Sequence, residues 1–353
     1  MQSNKKMCIS SKKEQRPMQK RIISLILALI LTLTASLYLA SCDSGDETPD
    51  DSGTKDDGGN KTPDDGDNTK APDDDNPGND TAAGTSDGQT ETDTSRYTKY
   101  DLNESYDADT ATTIKYSDSA AEITGKGASA DGTAVTITAE GTYILSGSCI
   151  DGQLIVEVAS TEKVQLVMNG LKLICTNSAP LWIKNCDKTA ITLVDGTTTT
   201  LQDGGSYSNV NADDEPNGCL FSKDDLTING SGTLNVYGNY NNGIACKDDL
   251  KVIGGIINIT SKNHGLRGND SVTIKDGEIS ISCKNDGIKA SNDTDSAKGY
   301  VYIEGGTITI DAGDDALQAY TDLTVDGGKI TAEAGGKITN CDGTVSVKDG
   351  TIN

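Results

Sequence analysis

The stretch NGIACKDDLKVIGGIINI, residues 242–259, is followed by a related stretch, HGLRGNDSVTIKDGEISI, at residues 264–281. A third copy of the opening triplet starts at Asp286, so the interval is 22 both times. A fourth starts at Asp315 after an interval of 29, because residues 291–299 carry an insertion of seven residues. A fixed period of this length indicates a repeat architecture in which each unit packs only on its neighbours.

Apolar residues recur at the same positions of successive units and alternate with polar ones, which is typical of short strands. Three aligned sets are Leu250, Val272, Val301, Leu323 and Val345; Val252, Ile274, Ile303, Val325 and Val347; and Ile257, Ile279, Ile308, Ile330 and Ile352. Stacking the units about 4.8 Å apart would bury each set as a column. We therefore predict an all-β fold, a right-handed parallel β-helix with about 22 residues per coil.

Polar residues between the first two columns are expected to face solvent. They are Lys251, Thr273, Tyr302, Thr324 and Ser346. Gly-Gly and Asp-Gly dipeptides are expected at the corners of the coils, where a positive φ is needed.

The composition narrows the class of ligand. The chain of 353 residues has a formal net charge of -24 and only 4% aromatic residues, so its core must consist of Ile, Val and Leu. The negative charge disfavours nucleic acid as a partner, because phosphates are bound by Lys and Arg. It permits cation binding, and an anionic polymer would need a divalent ion between it and the protein.

Residues 1–42 are predicted to be a lipoprotein signal peptide. Lys20 and Arg21 precede an apolar run that ends at Leu39-Ala40-Ser41-Cys42, the form of a bacterial lipobox. Cys42 would then carry the lipid, and the protein would be extracellular and anchored to the bacterial cell membrane only through that lipid. The alternative is a transmembrane anchor, since the run approaches spanning length.

Residues 43–99 are predicted to be a disordered tether rich in Asp, Gly and Pro. Such a segment cannot bury apolar surface and extends by self-repulsion. The β-helix domain is assigned to residues 100–353. The sequence ends at Ile352-Asn353 in mid-coil, so we expect a C-terminal truncation.

Five strings in the folded part carry a family resemblance. They are GTYILSG at 141–147, KDDLTINGSGTL at 223–234, NGIACKDDL at 242–250, GLRGNDSV at 265–272 and DGIKA at 286–290. In this order they resemble the clostridial carbohydrate-binding β-helix family, over roughly residues 134–353. The resemblance implies a pectate-lyase-like shape, bound calcium, binding of cellulose and polygalacturonate, and no established catalysis.

Two corners of the stacked coils are candidate calcium sites, because adjacent coils bring hard oxygen ligands within about 5 Å. One corner carries Asn241-Asn242, Asn263-His264, Asn285-Asp286 and Asp314-Asp315, and the other carries Asp224-Asp225, Asp248-Asp249, Asn269-Asp270 and Asp322. The predicted metal ligands are Asp224, Asp225, Asp248, Asp249, Asp270, Asp286, Asp314 and Asp315. The alternative is that these side chains serve turns and stacked amide ladders.

Tyrosines in or beside the strands are candidates for stacking on sugar rings. The predicted carbohydrate-binding residues are Tyr240, Tyr300, Tyr302 and Tyr320, and Tyr237 is a fifth tyrosine of this kind. The alternative is that they are ordinary exposed strand residues.

Three functions remain open. The first is a non-catalytic surface lipoprotein that binds plant-type polysaccharide, cellulose or polygalacturonate, with calcium as cofactor. The second is a calcium-dependent polysaccharide lyase, with Arg267 as the base and Lys247 and Lys289 in neighbouring coils. The third is a structural adhesin or spacer without a ligand.

Overall fold

The computed structural model describes residues 96–353 of the chain. The predicted signal peptide, Cys42 and nearly all of the predicted tether lie outside these residues. Within them, no helix is long and apolar enough to cross a membrane.

The described residues form 29 strands and no long helix. The strands are β1 Thr112–Tyr116, β2 Ala121–Thr124, β3 Ala128–Asp131, β4 Ala134–Ile137, β5 Gly141–Cys149, β6 Gln153–Glu157, β7 Lys163–Met168, β8 Lys172–Cys175, β9 Leu181–Asn185, β10 Lys188–Leu193, β11 Thr198–Asp203, β12 Gly218–Ser222, β13 Asp225–Gly230, β14 Thr233–Gly238, β15 Asn242–Cys246, β16 Asp249–Val252, β17 Ile256–Ser261, β18 Leu266–Gly268, β19 Ser271–Ile274, β20 Glu278–Cys283, β21 Ile288–Ala290, β22 Tyr300–Ile303, β23 Thr307–Ala312, β24 Leu317–Ala319, β25 Asp322–Val325, β26 Lys329–Ala334, β27 Thr339–Cys341, β28 Thr344–Val347 and β29 Thr351–Ile352.

Successive strands of a coil belong to three parallel sheets, which confirms the predicted parallel β-helix. Sheet 1 holds β1, β2, β5, β7, β10, β13, β16, β19, β22, β25 and β28; sheet 2 holds β8, β11, β14, β17, β20, β23, β26 and β29; and sheet 3 holds β3, β4, β6, β9, β12, β15, β18, β21, β24 and β27. Sheets 1 and 2 join at β5, which pairs with β7 along its first half and with β8 at its end.

The three predicted apolar columns are confirmed in register. Leu250 pairs with Val272, and Ile257 with Ile279. The columns continue strand by strand to β28 and β29. These side chains are almost fully buried up to Ile330, and each buried Ile or Val stabilises the fold by about 1.5–3 kcal/mol.

The corner between sheets 1 and 2 is turned by glycine, as expected. Gly230, Gly255, Gly277, Gly306 and Gly328 stand there in successive coils, with φ between 84° and 129°. Because the backbone at this corner is left-handed in each of these coils, glycine, which has no Cβ atom, is favoured there.

The first coils end in antiparallel pairs instead of open parallel edges. Strand β1 pairs antiparallel with β2, and β3 pairs antiparallel with β4. Hairpins at this end cover the unpaired backbone groups that a bare edge would offer to another chain.

An N-terminal strap, residues 96–105, crosses the outer face of sheet 1. Arg96 lies over the ring of Tyr302 in β22, at 3.8 Å from the ring centroid. At the other end of the strap, the backbone oxygen of Ser105 accepts a hydrogen bond from Gln165 in β7. Arg96 and Tyr97, assigned above to the tether, therefore contact the β-helix.

The strap explains one departure from the predicted pattern. Lys251 and Thr273 were expected to face solvent, yet they are 7% and 1% exposed. Asp101 of the strap is fully buried, and its carboxylate lies 3.5 Å from the Lys251 ammonium. The outer face of sheet 1 is therefore covered where the sequence pattern predicted an open surface.

Candidate functional site

The two candidate corners lie at opposite ends of the strands of sheet 3. The chain passes from sheet 2 to sheet 3 through residues 239–241, 262–265, 284–287 and 313–316, and we call this the entry corner. It leaves sheet 3 for sheet 1 through residues 247–248, 269–270 and 291–299, and we call this the exit corner.

Stacked polar side chains run along the entry corner, and each accepts a backbone hydrogen bond from the next coil. Asn242 accepts the N–H of His264, and His264 Nδ1 accepts the N–H of Asp286 at 3.2 Å. The carboxylate of Asp286 accepts the N–H of Asp315 at 3.1 Å, and Asp315 accepts the N–H of Lys337 at 2.8 Å. Asp286 and Asp315 therefore have a structural role as hydrogen-bond acceptors between coils, in addition to any role as metal ligands.

An outer amide ladder stands beside it. Asn263 donates to the side-chain oxygen of Asn241 at 2.7 Å, and Asn285 donates to that of Asn263 at 2.9 Å. One coil further the same position is Asp314, which is exposed. The ladder therefore changes from amides to a carboxylate at this coil.

This change creates a cluster of three carboxylates. Oxygens of Asp286, Asp314 and Asp315 all lie within 4.8 Å of one another. Two of the side chains are buried, so their charges are poorly screened. Carboxylate oxygens at this spacing suit Ca²⁺, which takes six to eight oxygen ligands.

Glycine at position 336 lets two carboxylates of the cluster lie close to the backbone of the next coil. A Cβ atom at this position would lie 2.6 Å from a carboxylate oxygen of Asp314 and 2.6 Å from one of Asp315. Its backbone φ is not left-handed, so glycine is needed here for space and not for conformation. Position 336 was not singled out from the sequence, where it is one of 39 glycines.

Basic side chains border the cluster on the sheet 3 side. The ammonium of Lys289 lies 2.9 Å from Asp286 Oδ2. Burial alone would raise the pKa of Asp286, but the Lys289 ammonium and the hydrogen bond from the Asp315 N–H outweigh it and lower that pKa below its ordinary value. Asp286 is therefore ionised at any physiological pH, as a metal ligand must be.

At the exit corner, most predicted metal ligands have protein partners. Asp225 lies 3.2 Å from Lys188 Nζ, and Asp270 lies 2.6 Å from Lys298 Nζ. Asp249 accepts a hydrogen bond of 2.6 Å from the Ser271 hydroxyl. Asp224 accepts the N–H of Cys186 at 2.9 Å. No three of these carboxylates converge as the entry-corner cluster does among the described residues.

Asp248 differs from its neighbours at the exit corner. Its pKa is raised to about 6, first by burial and then by the charges of Asp270, Asp225 and Asp224. A carboxylate surrounded by others in this way would be relieved by a cation.

The outer face of sheet 3 carries a short basic row next to the entry corner. Arg267 pairs in register with Lys289 on the next strand, Lys289 pairs with Gln318, and Gln318 pairs with Asn340. Arg267 Nε donates to the Ser291 hydroxyl at 3.2 Å, and burial lowers the pKa of its guanidinium. Lys247 does not belong to this row, because its ammonium pairs with buried Glu215 at 3.3 Å.

The predicted sugar-binding tyrosines lie in different surroundings. Tyr240 stacks on Tyr207 with ring centroids 4.1 Å apart, so one of its faces is covered. Arg96 covers Tyr302, whose hydroxyl donates to Asp326 at 2.7 Å. Tyr300 lines a cleft of about 260 Å³ together with Arg96 and Asp322. Tyr320 is half-buried and follows β24, on the exit side of the basic row.

The loop at residues 204–217 was not predicted from the sequence. It supplies Tyr207, whose hydroxyl donates to Asp203 at 2.7 Å, and Glu215, which pairs with Lys223 and Lys247. The loop lies outside the repeat, so no periodicity marks its contacts; its length between two strand patterns is the only signal that it carries.

Comparisons with known proteins agree with this architecture. A protein described as a carbohydrate-binding domain-containing protein from Acetivibrio thermocellus is 43% identical over 129 residues, which are 36% of this chain and 44% of that protein. The chain therefore matches less than half the length of this relative. A solved structure described as the polysaccharide lyase-like protein from C. thermocellum, a gadolinium derivative, is 38% identical, with a TM-score of 0.67. The match covers 69% of this chain and 98% of that structure.

A protein-family model also matches this chain. The model of carbohydrate-binding domain-containing proteins matches residues 131–352, which include most of the β-helix and both corners. The chain belongs to this family, as the resemblance in the sequence predicted, and a carbohydrate is the class of partner that the family name specifies.

Proposed function

We propose that this protein is a non-catalytic, calcium-assisted carbohydrate-binding protein of the bacterial cell surface. Its ligand is plant-type polysaccharide, cellulose or polygalacturonate, and its anchor is a lipid on Cys42. Membership in the carbohydrate-binding family supports the ligand class. The lipobox at residues 39–42 supports the anchor.

The single observation that carries the proposed site is the adjacency of cations and carboxylates at the entry corner. Arg267 and Lys289 lie on neighbouring strands, and strand spacing separates them by about 4.8 Å. The cluster of Asp286, Asp314 and Asp315 adjoins Lys289, whose ammonium lies 2.9 Å from Asp286. A uronate carboxylate would bind the guanidinium or the ammonium, and a bound calcium ion would bridge a further carboxylate to the cluster.

Calcium also resolves an electrostatic problem. A chain of net charge -24 repels an anionic polymer, and a divalent cation between the two reverses the local sign.

The test is retention of the full chain on insoluble polygalacturonate and on microcrystalline cellulose, with calcium and with EDTA. We expect EDTA to release the protein from polygalacturonate. Asp314→Asn should weaken this calcium-dependent retention about tenfold or more, since the cluster loses a charged ligand. Asp109→Asn, which changes an exposed carboxylate far from the cluster in sequence, is the matched control. Absence of retention on both polymers under both conditions would refute the proposal.

A lyase is the second candidate, because Arg267 is half-buried, has a lowered pKa and lies one coil from the carboxylate cluster. Its other candidate bases are engaged, since Lys247 pairs with Glu215 and Lys289 with Asp286. Lyase products are unsaturated and absorb in the ultraviolet. If this absorbance increases on polygalacturonate only with calcium, and the increase is lost in Arg267→Ala, the protein is a lyase and not a non-catalytic binding protein.

A further inference from the structure

The outer face of sheet 2 is almost free of charge across four successive coils. Its strands alternate strictly between buried and outward-facing residues. The outward-facing residues of β11, β14, β17 and β20 are Thr198, Thr200, Gln202, Thr233, Asn235, Tyr237, Ile256, Asn258, Thr260, Glu278, Ser280 and Ser282. Glu278 is the only ionisable carboxylate or cation among them. In a chain of net charge -24, such a patch is unusual and sets this face apart.

The patch contains a trough with an aromatic wall. Tyr237 is 41% exposed and pairs in register with Thr260, which pairs with Ser282. Tyr237 lines a hollow of about 210 Å³ together with Asn258, Thr260, Ser280, Ser282 and Thr309. The large ring therefore stands beside a row of short hydroxyl side chains that follows the β-helix axis.

The polar groups of the trough are held in place. Asn258 donates to the side-chain oxygen of Asn235 at 3.0 Å, and both lie on the same column one strand apart. Strands β14, β17 and β20 form a continuous parallel ladder beneath them. Rigid, uncharged donors and acceptors beside an aromatic ring suit a ligand that offers hydroxyl groups and an apolar ring face.

We propose that this face of sheet 2 is a second carbohydrate-binding surface, specific for a neutral linear polysaccharide, with Tyr237 as its stacking platform. The inference rests on the proposed function and divides it between two faces. The entry corner with Arg267 and Lys289 takes the acidic polymer with calcium, and the sheet 2 face takes an uncharged glucan without a metal.

Charged residues at one end of the patch limit the length of an uncharged polymer that it can hold without contact with a carboxylate. Continuing the column of Tyr237, the next residues after Ser282 are Asp311 and Glu333. These carboxylates would repel a uronate, whereas an uncharged sugar could donate hydroxyl hydrogen bonds to them. A neutral chain lying along the column crosses β14, β17 and β20, about 10 Å between the outer two, before it reaches the first carboxylate.

The experiment measures retention of the full chain on microcrystalline cellulose and on polygalacturonate, each with calcium and with EDTA. We expect Tyr237→Ala to lower the affinity for cellulose about tenfold, as truncation of a central aromatic contact does. A second variant, Thr260→Glu, places a carboxylate on the floor of the trough and should act likewise. Both should leave calcium-dependent binding to polygalacturonate unchanged.

Tyr106→Ala is the matched control, because Tyr106 is also an exposed tyrosine, at 39%, and lies outside sheet 2. If the wild type binds cellulose and both sheet 2 variants bind it equally well, the inference is refuted while the proposed function stands. If cellulose binding depends on calcium and is lost in Asp314→Asn, the neutral polymer uses the entry corner and the inference also fails. If the wild type binds polygalacturonate but not cellulose, the inference is refuted while the proposed function stands, and if it binds neither polymer, both fail.

Discussion

Gly336 has a role that depends on two carboxylates from the preceding coil. Because an added Cβ atom would lie 2.6 Å from oxygens of both Asp314 and Asp315, the residue leaves room for these two carboxylates to approach each other. The same Asp315 oxygen accepts the N–H of Lys337, so the hydrogen-bonded ladder and the carboxylate cluster both depend on the small residue at 336.

We predict that Gly336→Ala weakens calcium binding about tenfold or more, because the methyl group displaces ligand oxygens from the ion. Isothermal titration of the full chain with calcium measures this directly. Gly205→Ala is the control, since the nearest atom to an added Cβ there is 3.9 Å away. Equal calcium affinities of the Gly336 variant and the wild type would contradict the assigned site.

The carboxyl group of Asp248 is expected to destabilise the folded protein at neutral pH in the absence of a metal ion. Its pKa of about 6 in the folded protein exceeds the ordinary value of 3.8. The folded state therefore binds the proton more tightly, and this contribution to stability is present below about pH 4 and lost as the pH rises through 6.

We expect Asp248→Asn to raise the stability at pH 7.5 in EDTA by about 1 kcal/mol, after allowance for solvent screening of a half-exposed group. Urea unfolding at pH 4 and at pH 7.5 checks it. The gain should vanish at pH 4, where the wild-type carboxyl is protonated. A variant less stable than the wild type in EDTA at pH 7.5 would show that the charge at 248 is favourable.

Among the elements, the N-terminal strap has the most concentrated polar network. The buried carboxylate of Asp101 accepts hydrogen bonds from Thr98, Thr227 and Lys188, and Lys251 lies at 3.5 Å. Burial alone would raise the pKa of Asp101, but these hydrogen bonds and charges hold it well below its usual range. The strap thus ties several coils together through one side chain.

We predict that Asp101→Asn destabilises the protein by about 3 kcal/mol at pH 7, because Lys188 and Lys251 lose their fully buried counter-charge and keep only the more exposed Asp225 and Asp249. Since the folded pKa is lowered, this contribution is present above about pH 4 and is lost as the pH falls further. Urea unfolding at pH 7 and pH 3 measures both effects. A loss at pH 7 no larger than that of Asp109→Asn would mean that the strap contributes little.

The strap and the loop at 204–217 show where sequence reasoning stops. The columns of Ile and Val were predictable because each residue meets its equivalent one period away, and the stacking of Asp286 on Asp315 follows from the same rule. Asp101 instead meets Lys188 and Lys251, 87 and 150 residues away, with no pattern to relate them. The close approach of two carboxylates to Gly336 depends on side-chain positions, which a spacing rule does not give.

At the scale of the whole molecule, the two proposed binding faces should respond differently to calcium. A ligand that binds only the folded state stabilises it by about 2.7 kcal/mol at 100 times its dissociation constant.

We therefore predict that calcium raises the melting temperature of the full chain by several degrees and that EDTA reverses the shift. The increment should disappear in Asp314→Asn and persist in Tyr237→Ala, because only the first variant changes the carboxylate cluster. Differential scanning calorimetry with magnesium as the comparison ion checks it. If calcium raises the melting temperature of Asp314→Asn as much as that of the wild type, the calcium site lies elsewhere in the chain.

The near-constant length of the coils has a consequence for how such a chain can evolve. In sheet 1, successive strands begin at residues 225, 249, 271, 300, 322 and 344, and the one long interval contains a loop that leaves the ladder on both sides in register. Duplication or loss of a whole repeat unit would preserve every neighbouring contact, whereas loss of a single residue within a strand would turn its core side chains outward. Gene duplication can thus lengthen the molecule, and the polymer segment it spans, in steps of one strand width.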